Sequence, residues 1–193
     1  MMTLITRHSL SAAIVLLATA AYSRGEAGLI PLDASTKLSL TNTRAIPMKY
    51  RGRAALHLAP DNASAFKGFV GISFRVHGDT AERFYIRPEN ARLDDQLFRN
   101  RSAQYEADPA FPWNRLRQEA PGTYESYVDL APGAWTHLRI DVAGTKARLY
   151  VNGATQPALV VNDLKNGVSR GKIALWTRIS SDAYFANLRV ESK

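Results

Sequence analysis

The chain has 193 residues, enough for one domain with a sizeable core. It contains no cysteine, which excludes disulfides, thiolate metal centres and a lipid-modified cysteine, so packing alone must hold the fold. Twenty-five Lys and Arg against 17 Asp and Glu leave a formal charge of +8, a balance that attracts nucleic acid, anionic surfaces or acidic polysaccharides.

Residues 1–23 read as a secretory leader. Arg7 and His8 precede the apolar run from Leu10 to Ala21, and Ala18-Thr19-Ala20 or Ala21-Tyr22-Ser23 offers small residues for cleavage. Twelve residues span only ~18 Å as a helix, short of the ~30 Å hydrocarbon core, which favours a leader over an anchor. Residues 24–193 are then expected to form a single domain in the periplasm or the medium, with no membrane-spanning part. An exported location disfavours a nucleic-acid partner.

Strand signals dominate from there on. KLSLTN, AALHLA, GFVGISFRV and RFYIR are the first candidates. About 35 residues without clear periodicity follow, rich in aromatics and therefore expected to be an ordered functional loop system. TYESYVDL, residues 123–130, is the next strand. In THLRIDVAGTKARLYVNG, Leu138, Ile140 and Val142 alternate with polar residues, as do Ala147, Leu149 and Val151. Gly144-Thr145 between them fits a two-residue type II′ turn, and Asn152-Gly153 suits positive φ at both positions. ALVVN, GKIALWT and AYFANLRV complete an all-β pattern. Short strands without a convincing amphipathic helix predict a two-sheet antiparallel sandwich.

Period-two alternation assigns two faces. Ile72, Phe74, Val76, Phe84, Ile86, Ser126, Val128, Leu130, Ile173 and Leu175 point to the core, leaving Arg75, His77, Tyr85, Arg87, Glu125, Tyr127, Asp129, Trp176 and Arg178 on the other side. Rings stack on the C–H faces of sugars, and guanidinium forks bond hydroxyls, so the second face is a candidate saccharide site. Its expected members are Arg75, Tyr85, Arg87, Tyr127 and Trp176, bordered by Asn90, Arg99, Asn100, Gln104, Tyr105, Trp113 and Arg117. The competing reading is a solvated sheet laced by cross-strand ion pairs. The segment Phe84 to Arg117 holds six arginines, five carboxylates and no lysine, a composition suited to directional hydrogen bonds more than to a phosphate-attracting field.

Catalytic patterns are sparse. Glu106, Asp108, Glu125 and Asp129 could serve as a glycosidase acid and base, with Glu125 and Asp129 the named candidates; the chemistry needs two carboxyls at a defined separation. No G-x-S-x-G, H-E-x-x-H or EF-hand spacing occurs. No metal or other cofactor is expected; the adjacent Asp94 and Asp95 are too small a signal for calcium.

FVGISFRV, FYIRPENARLDDQLFRNRSAQY, PWNRLR, YESYVDL, WTHLRIDVAGTKARLYVNG, ALVVNDLKNGVSRGKIALW and AYFANLRV together resemble exported bacterial proteins of the concanavalin A-like lectin/glucanase superfamily, near the 3-keto-disaccharide hydrolase type. The resemblance implies a jelly roll with ligand on the concave sheet. Its members include lectins, glycoside hydrolases and laminin-G-like interaction modules, so it leaves function open among these. Two departures stand out. The glucanase pattern E-x-D-x-x-E is absent, and only PDNASAFK separates AALHLA from GFVGISFRV, where relatives carry another strand. Either that strand is lost or another element takes its place.

Overall fold

The computed structural model of the chain describes residues 11–16, 27–33, 38–41, 43–60, 68–178 and 181–191. The strands are β1 (Ser11–Leu16), β2 (Ala27–Ile30), β3 (Leu38–Thr41), β4 (Thr43–Tyr50), β5 (Arg53–Pro60), β6 (Val70–His77), β7 (Thr80–Ile86), β8 (Ala103–Asp108) and β9 (Glu125–Ser126). They continue with β10 (Leu138–Ala143), β11 (Lys146–Val151), β12 (Leu159–Val161), β13 (Lys172–Arg178), β14 (Ala183–Phe185) and β15 (Leu188–Glu191). Among the described residues, helical structure is limited to a 3₁₀ turn at Asn90–Arg92 and two short helices, α1 (Gln96–Arg99) and α2 (Trp113–Glu119).

The hairpin of β10 and β11 forms as its alternation predicts, with Leu138 opposite Val151 and Ala143 opposite Lys146. Gly144 takes φ +57° at the first turn position, where a Cβ would be strained. All pairs are antiparallel. A seven-stranded sheet runs β3-β1-β13-β6-β7-β8-β9, and three smaller sheets run β10-β11-β12, β14-β5-β4 and β15-β2.

The smaller sheets cover one face of the large one in two blocks. Phe74, Phe84, Ile86, Ala103 and Tyr105 of the large sheet pack on Ala147, Leu149, Val151, Leu159 and Val161 of the β10–β12 sheet. Leu175 of β13 packs instead on Ile30, Leu56 and Leu58. This is the expected all-β antiparallel sandwich, with its second layer split. The split has a local cause: Asn187, at φ +56°, breaks AYFANLRV so that β14 joins β5 while β15 joins β2. Between the blocks lies an open cleft of about 1760 Å³, floored by Val70, Ile72, Phe74, Ile173 and Leu175.

Three expectations need correction. The stretch between RFYIR and TYESYVDL is not all loop: Ala103–Asp108 is a strand bonded to β7 on one side and to β9 on the other. TYESYVDL is strand only at Glu125–Ser126, so the alternation expected through Asp129 stops there. β4, unforeseen, pairs with β5 along eight residues from Thr43–Pro60 to Tyr50–Arg53. Most of the expected leader, and residues 61–67 of the short connection, lie outside the described residues. Ser11–Leu16 form β1, which takes the edge of β13 not used by β6 and so fills a sheet position next to it.

Candidate functional site

The face of the large sheet turned away from the smaller sheets is organised in registered rows. Trp176 lies opposite Gly71, Gly71 opposite Tyr85, Tyr85 opposite Gln104, and Gln104 opposite Glu125. The adjacent row carries Ala174, Ser73, Arg83 and Glu106 in the same order. Gly71 is required: a Cβ there would stand 2.4 Å from the Phe84 carbonyl oxygen and 2.7 Å from Tyr85 Cβ. Its bare backbone lets Tyr85 approach Trp176, with ring centroids 5.3 Å apart.

The second row is a buried ion cluster. Arg83 donates to the carboxylates of Glu106 and Asp108 and, through Nε, to Ser73 Oγ at 2.9 Å. Its guanidinium carbon stands 4.4 Å from the Trp176 ring centroid. Burial pushes the Glu106 carboxyl above its ordinary pKa, and the Arg83 charge opposes that shift. Arg83, 3% exposed, is thus fully engaged within the protein.

The first row ends in a network that reaches the surface. Tyr85 donates its hydroxyl to Gln104 Oε1 at 3.1 Å, and Gln104 Nε2 donates to Glu125 Oε2 at 2.9 Å. Arg117 donates Nε and a terminal nitrogen to the same carboxylate at 3.0 and 2.7 Å. Arg101 Nε approaches Glu125 at 3.5 Å, an ion pair without hydrogen-bond alignment. Helix α2 positions Arg117 and Trp113 one turn apart, with the guanidinium 4.7 Å over the indole, while Leu116 between them is buried in the core. Burial pushes the Tyr85 hydroxyl well above its ordinary pKa, with the Glu106 charge adding to the rise.

The expected site residues do not all come together. Tyr85, Arg87, Gln104, Trp113, Arg117 and Trp176 come together on this face. Tyr85 and Trp176, expected as stacking surfaces, are 1% and 3% exposed and form its floor instead. Tyr105 faces the opposite way into the core, where its hydroxyl donates to Glu82 and accepts from the Lys165 amide. Arg75 is turned away by the bulge in β6, at φ +53°, and bonds the carbonyls of Gly144 and Gly167 at 2.8 Å. Asn90 is buried and bonds the Phe98 carbonyl, while Arg99 and Asn100 bond within the α1 segment. Tyr127 is exposed beyond the end of β9.

The two candidate catalytic carboxyls separate as well. Glu125 sits in the network, whereas Asp129 is exposed beyond the strand and pairs with Arg92 at 2.9 Å. Asp95 caps α1, accepting from the amides of Leu97 and Phe98. Asp94 stands 3.9 Å from Arg99. Among the described residues no group of three or more His, Asp or Glu could hold a metal ion. None of the described helices is long and apolar enough to cross a membrane.

No family model, curated protein or solved structure matches the chain. The site must therefore be read from its own chemistry.

Sequence reasoning missed Phe69 and Arg83, and considered Glu106 only as a catalytic carboxyl and not as a member of this face. Phe69 joins Tyr85 and Trp176 in a small apolar cluster, and Arg87 lies 4.4 Å over its ring. The signal for Arg83 and Glu106 was present: both share parity with Tyr85 and Gln104 once β8 is recognised as a strand.

Proposed function

We propose that the protein binds a saccharide at the end of this sheet face that reaches the surface, where Arg87, Arg101, Arg117, Glu125 and Trp113 gather. The observation that carries this reading is the network in which Gln104, Glu125 and Arg117 hold planar polar groups in fixed orientation beside a half-exposed indole. Fixed forks bond vicinal hydroxyls, and a ring supplies the apolar contact a pyranose needs. The resemblance to concanavalin A-like lectins points to the same face.

Binding without catalysis fits better than glycoside cleavage of the 3-keto-disaccharide type. Glu125 is held by two guanidinium groups and an amide, and Asp129 is outside the network. A general acid must reach the leaving-group oxygen, and both Glu125 oxygens already accept from donors within the chain. Export belongs to the same proposal, with the leader removed to leave a mature chain that starts near Arg24 in the periplasm or medium. Cleavage there takes β1 with it, and N-terminal sequencing of exported material checks it.

A glycan panel followed by titration calorimetry tests the site. Trp113→Ala and Arg117→Ala should each weaken saccharide binding about tenfold, as expected for a ring or fork at the centre of a contact. Absence of any saccharide binding at millimolar concentration refutes the reading.

One observation favours a second reading, a protein-interaction module of laminin-G type. The open cleft between the two blocks has an apolar floor, and Tyr50, Arg53, Trp135 and Tyr184 line it. Aromatic residues and arginine are enriched at protein contacts. Pull-down of a partner that Trp135→Ala abolishes, with saccharide binding absent, would favour it.

A further inference from the structure

We propose that the saccharide is anionic and that Arg87 receives its carboxylate, an inference that rests on the saccharide-binding reading above. The charges of the face do not balance. Arg83 has two carboxylates of its own, Glu106 and Asp108. Arg101 and Arg117 share one, Glu125. Arg87 has none among the described residues: the single polar contact of its side chain is a 3.5 Å approach to Gln104 Oε1, and its Nε is buried without a partner. Three guanidinium groups at the open end of the row therefore face one carboxylate.

Position reinforces the count. Arg87 follows the last residue of β7, so its backbone is fixed by the strand and by a 2.8 Å amide bond to the Ser102 carbonyl. Its guanidinium lies over Phe69 at 4.4 Å, which holds the fork in one orientation and leaves its edge for an in-plane acceptor. Part-burial lowers the Arg87 pKa from its ordinary value, and the charges of Arg117, Arg178 and Arg101 lower it further. A bound anion would offset the repulsion from these neighbours. A planar carboxylate fits a planar fork in two parallel bonds. A dianionic phosphate fits less well, because Glu125 lies one residue along the row through Gln104.

A uronic acid combines this carboxylate with the hydroxyls and C–H face that the Gln104–Glu125–Arg117 network and Trp113 would take. Calorimetry with the full chain tests it, using galacturonate, glucuronate and mannuronate disaccharides, their methyl esters, and sodium sulfate alone. At least one acid should bind about tenfold tighter than its ester, the discrimination expected of a charge-assisted bidentate contact. In Arg87→Met that ratio should fall to within about threefold, the acid losing more affinity than the ester; Arg87→Lys, which keeps charge but not the fork, should recover only part of the ratio.

Raising salt from about 50 to about 500 mM should weaken the acid and not the ester, a check on the unaltered protein should either variant fail to fold. Equal binding of acid and ester by the unaltered protein overturns the carboxylate inference and leaves the saccharide reading standing. Sulfate bound as tightly as the disaccharide acids also overturns it, as an anion site without sugar. Failure of every sugar, ester or acid, at millimolar concentration removes the saccharide reading and this inference with it.

Discussion

Replacing Arg83 with Met should destabilise the protein strongly at neutral pH and less in mild acid. Arg83 is 3% exposed and Glu106 7%, so the substitution strands a buried carboxylate that the rest of the face does not neutralise. Breaking a buried pair from one side costs about 3–5 kcal/mol. In a chain of this length each kcal/mol moves Tm by about 2–4 °C, which predicts a fall of roughly 6–20 °C at pH 7. The pH dependence follows from the direction of the Glu106 shift. Burial already raises its folded pKa, Arg83 opposes the rise, and removing Arg83 must raise it further. A carboxyl whose folded pKa exceeds its unfolded value contributes stability below the unfolded pKa and loses it as pH rises through the folded pKa. The deficit of the variant relative to the parent should therefore be smallest below the ordinary carboxylate pKa and grow as pH rises through the raised folded value. Thermal and urea melts of both proteins across that range measure it, and adding Glu106→Gln should recover a large part at pH 7. A deficit independent of pH, or a double variant no more stable than Arg83→Met, would refute the reasoning.

Gly71→Ala should cost about 1–3 kcal/mol in urea unfolding, because its Cβ would meet the Phe84 carbonyl and Tyr85 Cβ inside contact distance; a neutral result would mean that the β6–β7 pair is looser than described. Tyr105→Phe leaves Glu82, fully buried, with one fewer donor, and should cost about 1–3 kcal/mol while speeding amide exchange at Lys165 and Asn166. Arg75→Ala should cost about 1–3 kcal/mol through its two lost carbonyl bonds and leave saccharide affinity within about twofold; a tenfold loss of affinity would return Arg75 to the site.

The layers and most strands were legible in the sequence because one face of each strand is apolar. β8 was not. Its inward residues are Ala103, Tyr105 and Ala107, two of them small, and its outward ones, Gln104, Glu106 and Asp108, are polar, so its residue types resemble those of a loop. Only the alternation betrays it, and recognising it would have sent Tyr105 to the core and Glu106 to the face. Arg75 could not be placed by parity, because a non-glycine residue at positive φ interrupts the alternation without a sequence mark. Glu82 was invisible for a different reason. It is buried because Tyr105 and the Asn166 amide, 84 residues away in sequence, supply its hydrogen bonds. This also gives VNDLKNG a structural role: Asp163, Lys165 and Asn166 tie the loop after β12 to Tyr124, Tyr105 and Glu82.

The arginines between Phe84 and Arg117 show why this segment has no lysine. Arg92 bonds the Leu130 carbonyl at 2.6 Å and pairs with Asp129; Arg99 bonds the Leu93 carbonyl and Gln96 Oε1; Arg115 bonds the Ala110 carbonyl and Glu119. Each holds two acceptors at different angles, which a rigid fork does at lower entropic cost than a mobile ammonium. These three secure the loops of the rim, and Arg101 and Arg117 fix Glu125. Five of the six arginines have acids, Arg101 and Arg117 sharing Glu125, whereas Arg87 has none among the described residues. A site in which the arginine without an acid among the described residues is a stacked, part-buried fork selects by geometry and by a single anionic group, not by total charge. Its ligand discrimination should therefore respond to Arg87 far more than to the formal charge of the protein.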